Sequence, residues 1–334
     1  MTKTNDLTAL AIRLVGPDGV DSFDAKIRER RAQAFCGVLD PEAVGGLMCL
    51  SELEKLLDGP DAPLDRTDVF HGGHILRLMD IHHRSNRRVS DVSAEYIAKG
   101  ATLRVRDIER SSSVLAAFTG AVSRVYAAKS QINLYLTPPA TAGFPPHFDN
   151  TDVFILQVAG SKKWSLHPEY SHRVPLPAPD VAWDPERFQP LGAAETHIMK
   201  VGDVLYLPRG AMHSAVCTEE ESLHITISLV PLTVAELLQR EVDRLSRVEP
   251  GLRERVVWSV DGGETEAEDL RDTMRSWLKW LAAQLDPALT IAVEREALSA
   301  PETAPGSSAM SDLMERLRGR PDRSAESQGR PGSV

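Results

Sequence analysis

Apolar and polar positions change their rhythm twice along the chain. Residues 1–21 hold no sustained period and read as loosely structured, whereas from Ser22 to about Asp58 apolar residues recur at helical spacing. Within that stretch Asp40 can cap a helix with Pro41 at its first position, and Ser51 with Glu54 has the form of a capping box. After the polar stretch GPDAPLDRTD, Ser93 and Gly100 bracket a further short helix. The Ala-rich apolar segment after Ser111 predicts another, running through Ala128.

From Gln131 the rhythm shortens. INLYL, TDVFILQV, KKWSLH, DVLYLP and HITISLV are short runs of aliphatic and aromatic residues separated by Pro and Gly. Such runs predict antiparallel strands closed into a sandwich or barrel. No strand–helix alternation supports a parallel doubly wound sheet. Beyond Pro231 helical spacing returns, with Val234, Leu237, Leu238, Val242, Leu245 and Val248 on one face. Thr265 and Glu268 predict a capping box before Leu270, Met274, Trp277, Leu278, Leu281 and Leu285.

The resulting plan is mainly β with flanking α-helices. It comprises an N-terminal helical region (1–95), a barrel (96–232), a C-terminal helical region (233–300) and a tail (301–334). Pro, Gly, Ser and charge dominate the tail, which predicts disorder there. Apolar stripes on the C-terminal helices can pack on their own domain or serve a homodimer.

Composition narrows the function classes. The chain has 334 residues, 42% hydrophobic and 26% charged, as in soluble globular proteins. Its net charge of -10 argues against a general nucleic-acid binder, which needs clustered Lys and Arg. A basic protein partner would suit that charge, although many soluble proteins are simply acidic. No signal peptide opens the sequence and no apolar run approaches the roughly 20 residues of a membrane span. The 3 cysteines show no paired spacing, so free thiols in a reducing, cytoplasmic compartment are expected.

The most informative segment is PPHFDNTDVFILQVAGSKKW. Residues two apart in an extended chain share a face, so His147 and Asp149 can present an imidazole and a carboxylate together. His213, in GDVLYLPRGAMHSA, is the candidate third ligand. Two imidazoles and one carboxylate form the facial set that holds non-haem iron(II) and leaves coordination positions open. His-x-Asp alone is a weak signal, because a histidine in an apolar strand is more often a satisfied core side chain. The distal histidine and a downstream lysine raise it. Lys162, just after the turn at Gly160, can project inward toward the far carboxylate of an oxo-acid, while Lys163 points outward. Asn133 and Tyr135 alternate on INLYL and can face the same pocket. On spacing alone, an ordinary amphipathic strand explains them equally well.

These blocks, QINLYLTPP, GFPPHFDNTDVFILQVAGSKKW, GDVLYLPRGAMHSA and SLHITISL, together with GATLRVRDIERSS upstream, resemble the JmjC-type, cupin-like oxygenases of the ribosomal oxygenase group. The resemblance spans residues 68–232. It implies a double-stranded β-helix using Fe(II), 2-oxoglutarate and O2 to hydroxylate a protein or peptide side chain, with succinate and CO2 as coproducts. His147, Asp149 and His213 match the family's metal ligands. Lys162 matches its oxo-acid lysine or arginine, Asn133 and Tyr135 its pocket residues, and His224 and Ser228 positions near the site. One departure is that residues 233–300 leave no room for the winged-helix domain of ribosomal members, which weakens a ribosomal substrate. Three rival readings remain: an N-methyl-lysine demethylase, a tailoring hydroxylase of a peptide or small natural product, and a non-catalytic cupin-fold binding protein. The histidines of HGGH (His71, His74) and the pair His82–His83 lack a carboxylate at ligand spacing and read as loop residues.

Overall fold

A computed structural model describes residues 2–16, 19–20, 31–82, 87–174, 176–178, 181, 183–256 and 264–299. The expected disorder of 301–334 therefore lies outside the described residues. So do residues 22–30 of the expected helical stretch, and so does His83. The chain opens with α1 (Thr2–Arg13), where the sequence predicted loose structure. The helix holds because Ala11 and, just beyond it, Leu14 and Val15 are fully buried in the main core. Its short apolar edge is stabilised by tertiary contact that local periodicity does not reveal.

The predicted helical stretch to Asp58 divides. A strand, β1 (Gln33–Phe35), precedes α2 (Pro41–Gly45) and α3 (Leu50–Leu57). Asp40 caps α2 as expected, its carboxylate accepting from Ala43 N at 3.3 Å with Pro41 in the first turn. Ser51 and Glu54 do not form the predicted box, because α3 begins two residues earlier, at Leu50, and Cys49 occupies the cap position. Next come β2 (Thr67–His71), β3 (His74–Arg77), α4 (Leu78–His82), α5 (Val89–Ala98) and β4 (Thr102–Val105). Ser93 lies inside α5, where its hydroxyl donates to Val89 O at 2.8 Å. Of these strands, β2 and β3 fall in the region read as helical and are the largest fold-level correction there. Too short to display a period, all three are defined by pairing with one another and with β5 (Ala128–Thr137).

Between β4 and β5 runs α6 (Ser113–Tyr126), capped by Ser112, as the Ala-rich segment predicted. The remaining strands are β6 (Asp152–Ala159), β7 (Ser161–His167), β8 (Glu169–Tyr170), β9 (Pro190–Leu191), β10 (Glu195–Lys200), β11 (Val204–Leu207), β12 (Met212–Cys217) and β13 (Ser222–Pro231). One sheet has the order β1-β11-β6-β13-β5-β4-β2-β3, and a smaller one the order β10-β7-β12. All of these pairings are antiparallel. The β6–β7 turn requires glycine. Gly160 has φ +62°, and a Cβ there would meet Glu221 O at 1.7 Å.

Alternation along the strands sorts side chains between two cores. Phe154, Leu156, Ile225, Ile227, Ile132 and Leu134 pack on the helical layer with Phe118 and Leu115 of α6. Val153, Ile155, Trp164, Leu166, Leu205 and Leu207 point the other way and fill the space between the sheets. Beyond the barrel lie α7 (Val234–Val248), α8 (Glu264–Gln284) and α9 (Pro287–Ser299). Thr233 and Glu236 form a complete capping box at the start of α7. The box predicted at Thr265 involves a side chain outside the described residues.

Candidate metal centre

His147 lies between β5 and β6 and pairs directly with His213 of β12. His147 N donates to His213 O at 2.9 Å and His213 N to His147 O at 2.7 Å. This two-bond bridge brings together residues far apart in the chain, with ring centroids 4.4 Å apart. Asp149 is held from behind, its carbonyl accepting from Gly210 N at 2.9 Å, and its Oδ2 lies 3.8 Å from His213 Nε2. Candidate ligand atoms of His147, Asp149 and His213 all lie within 4.8 Å of one another, and no other such cluster occurs among the described residues.

Both imidazoles are oriented by their far nitrogens. His147 Nδ1 sits 2.8 Å from Pro145 O and His213 Nδ1 2.9 Å from Ala211 O. A carbonyl accepts only, so each Nδ1 carries the proton and each Nε2 offers a lone pair, the arrangement that metal ligation needs. Burial, and then the neighbouring His147, push His213 down to about 4, so its ring is neutral at physiological pH. The donor set, its spacing and its tautomers fit a divalent metal held by two nitrogens and one carboxylate.

The cleft around these residues is narrow, about 40 Å³, and includes Thr102, Tyr135, Phe144, Lys162, Trp164 and His224 in its walls. Lys162 is buried, with no carboxylate among the described residues to pair with. Its Nζ donates to Thr137 Oγ1 at 2.8 Å and lies 5.9 Å from the Trp164 ring centre. Burial pulls its ammonium down to about 8. A buried cation without a counter-ion is costly, and the cost is relieved when an anion enters. His224 stacks on Tyr135 with centroids 4.9 Å apart, and burial, Lys162 and His213 together hold it well below its usual range. His224 Nδ1 and Trp164 Nε1 are buried without a hydrogen-bond partner among the described residues, leaving the cleft wall two polar atoms unsatisfied. Tyr135 is pushed up to about 12 by burial and by Asp149, so its phenol keeps its proton.

Of the eight residues singled out from sequence, six meet in this cleft: His147, Asp149, His213, Lys162, Tyr135 and His224. Asn133 and Ser228 do not line it. Asn133 gives its side-chain oxygen to Asp107 N at 3.2 Å, supporting the left-handed turn there (φ 48°). Ser228 pairs with Gln131 and Val153, two positions beyond the cleft-lining Thr226 on the same strand. Alternation found the correct face but not the depth along the strand. Trp164 was detectable as the same-face neighbour of Lys162. Thr102 was not, since nothing in its own segment marks it.

A double-stranded β-helix with two histidines and one aspartate across its mouth defines the cupin-like class of metal-binding barrels. Residues 110–237 match the family model for the JmjC domain. The chain is 29% identical to Ribosomal oxygenase 1 of Gallus gallus over 222 residues, 64% of this chain and 35% of that protein. It is 36% identical to the bifunctional lysine-specific demethylase and histidyl-hydroxylase NO66 of Drosophila melanogaster over 137 residues, 36% of this chain and 20% of that protein. It thus spans about a third or less of these curated relatives. The X-ray structure of E. coli ycfD superposes with a TM-score of 0.46 at 17% identity, over 76% of this chain and 67% of that one.

Proposed function

We propose that this chain is an iron(II)- and 2-oxoglutarate-dependent oxygenase that hydroxylates a side chain of a protein or peptide, releasing succinate and CO2. The observation that carries the reading is a buried Lys162, without a counter-ion among the described residues, in the same cleft as the three-residue metal cluster. In this reading His147, Asp149 and His213 hold the metal, which when bound supplies oxygen activation. Lys162 anchors the far carboxylate of 2-oxoglutarate by a charge-assisted hydrogen bond, with Thr137 fixing its ammonium. Tyr135, His224 and Trp164 offer polar atoms to the same anion or to the substrate. Phe144 and Trp183, with ring centres 6.0 and 6.4 Å from that of His147, exclude water from the mouth.

The test is succinate formation by the iron-loaded full chain with candidate proteins and peptides, and mass spectrometry for a gain of one oxygen. Turnover should vanish in His147→Ala and Asp149→Ala, and wild-type turnover in either would overturn the assignment. The name of the Drosophila relative favours a second reading, demethylation of N-methyl-lysine at the same site. Formaldehyde release from methylated peptides, in place of a stable oxygen adduct, separates the two.

The helical region carries a second element of the reading, a homodimer through α7 to α9. Val234, Leu238, Met274, Leu278 and Val293 are 76%, 48%, 63%, 61% and 63% exposed, apolar surface that a second copy would cover. Cys36, Cys49 and Cys217 are free thiols, in keeping with a cytoplasmic protein. Among the described residues no helix is long and apolar enough to cross a membrane.

A further inference from the structure

A second, larger cleft lies behind the turn that carries His213. It holds about 320 Å³ between the end of β7, the segment around Tyr170 and Arg173, and the turn Pro208–Met212. Arg31, Arg173 and Arg209 all line it, and none forms an ion pair with a described carboxylate. By contrast, Arg104 and Arg106 share Asp68, Arg240 meets Glu294 and Arg244 meets Glu241. Asp152, beside Arg209, uses its Oδ1 to accept the Arg209 backbone N–H at 3.0 Å and the Tyr206 hydroxyl. Arg209 Nε is buried with no hydrogen-bond partner among the described residues, a donor withdrawn from water and left unused. Glu195 is the one described carboxylate in the lining; it is largely exposed and lies 3.1 Å from His197 Nε2.

Three guanidiniums that form no described ion pair, set around one concavity with Glu195 as the one described carboxylate in its lining, make a local cationic site in a chain whose net charge is -10. Guanidinium forks match the oxygens of phosphate. Size and lining specify the rest of the ligand. The cavity is larger than a bare oxyanion fills, and Leu166, Tyr170, Leu176 and Met212 give it apolar walls for an organic moiety. We propose that this cleft binds an organic phosphate of nucleotide size, its phosphates on Arg31, Arg173 and Arg209 and its organic part against Leu166 and Tyr170. The site is separate from the metal cleft and independent of the reaction assigned to it.

Isothermal titration of the full chain with ADP, with inorganic phosphate as the second arm, tests this. ADP should bind, should weaken as salt rises, and should bind at least about tenfold more weakly to Arg173→Gln/Arg209→Gln, the scale expected for losing charge-assisted hydrogen bonds. Arg31→Gln, at an exposed side chain, should weaken it too while leaving the unfolding midpoint unchanged. Lys163→Gln, outside this lining, should bind like wild type. The proposal fails if ADP gives no heat with wild type, if the arginine variants bind it undiminished, or if inorganic phosphate binds as tightly as ADP.

Discussion

In β6 seven of the eight residues are buried, with Val153 and Ile155 facing between the sheets and Phe154 and Leu156 facing the helices. In α7, by contrast, Val234 and Val248 are 76% and 74% exposed, and Leu245 is the one apolar side chain to be buried. Both segments are strongly patterned, yet only the strand is enclosed by its neighbours. β6 is paired on one edge with β11 and on the other with β13 and is covered on both faces, so each of its apolar positions has a fixed neighbour. The helices bury what one layer can cover and leave a stripe for something else. A metal cleft needs the first arrangement, because ligands must be held to within fractions of an ångström. A docking face needs the second.

The most drastic way to separate the regions is at the metal ligands. Asp149→Ala should abolish metal binding, read by metal analysis, while oligomeric state by analytical ultracentrifugation stays as in wild type. A coupled loss of both would show that the regions are not independent.

Lys162→Met should keep the metal but weaken 2-oxoglutarate by about 3–5 kcal/mol, because one carboxylate would enter the cleft unpaired. Titration of the metal-loaded protein measures it, and unchanged affinity would remove Lys162 from the pocket. Truncating Phe154, fully buried, to Ala should cost the barrel about 3–5 kcal/mol in denaturant unfolding. Leu278→Asp, at a 61% exposed position, should leave metal binding unaltered and convert a dimer to monomer. If it leaves the sedimentation coefficient unchanged, the exposed stripe is not the dimer face.

The smallest effect is a pH dependence confined to the barrel. Burial sets the Lys162 ammonium at about 8, below its usual 10.5. Below about 8 the free protein already holds the proton that an incoming carboxylate needs, so 2-oxoglutarate affinity should be level. Above it, affinity should fall by up to about tenfold per pH unit, and Lys162→Met should flatten the profile. For the ligand-free protein the sign is opposite. Between about 8 and 10.5 the unfolded chain holds a proton that the folded one has shed, so the contribution of Lys162 to stability rises with pH.

Several features are legible in the amino-acid sequence alone. The strands β5, β6, β7, β11 and β13, the helix at Ser113–Tyr126, the Asp40 cap and the donor types of the metal trio all follow from local rules of spacing, capping and donor chemistry. The short strands β2, β3 and β4 are not legible there, since four or five residues carry no period and their identity comes from partners distant in sequence.

By itself the sequence determined the chemistry that the cleft can hold: His147, Asp149 and His213 for a metal, and Lys162 on the inward face of its strand. Residue type and alternation are local properties, and one chain is enough to state them. Only the tertiary structure decided depth and company. It placed His224 and Tyr135 in the cleft and left Asn133 supporting a turn. It brought Thr102 in from a segment with no motif, and it left Lys162 without a counter-ion among the described residues. Those are facts of register and burial, fixed when strands far apart in the chain pair, and they change the metal trio from a spacing into a site.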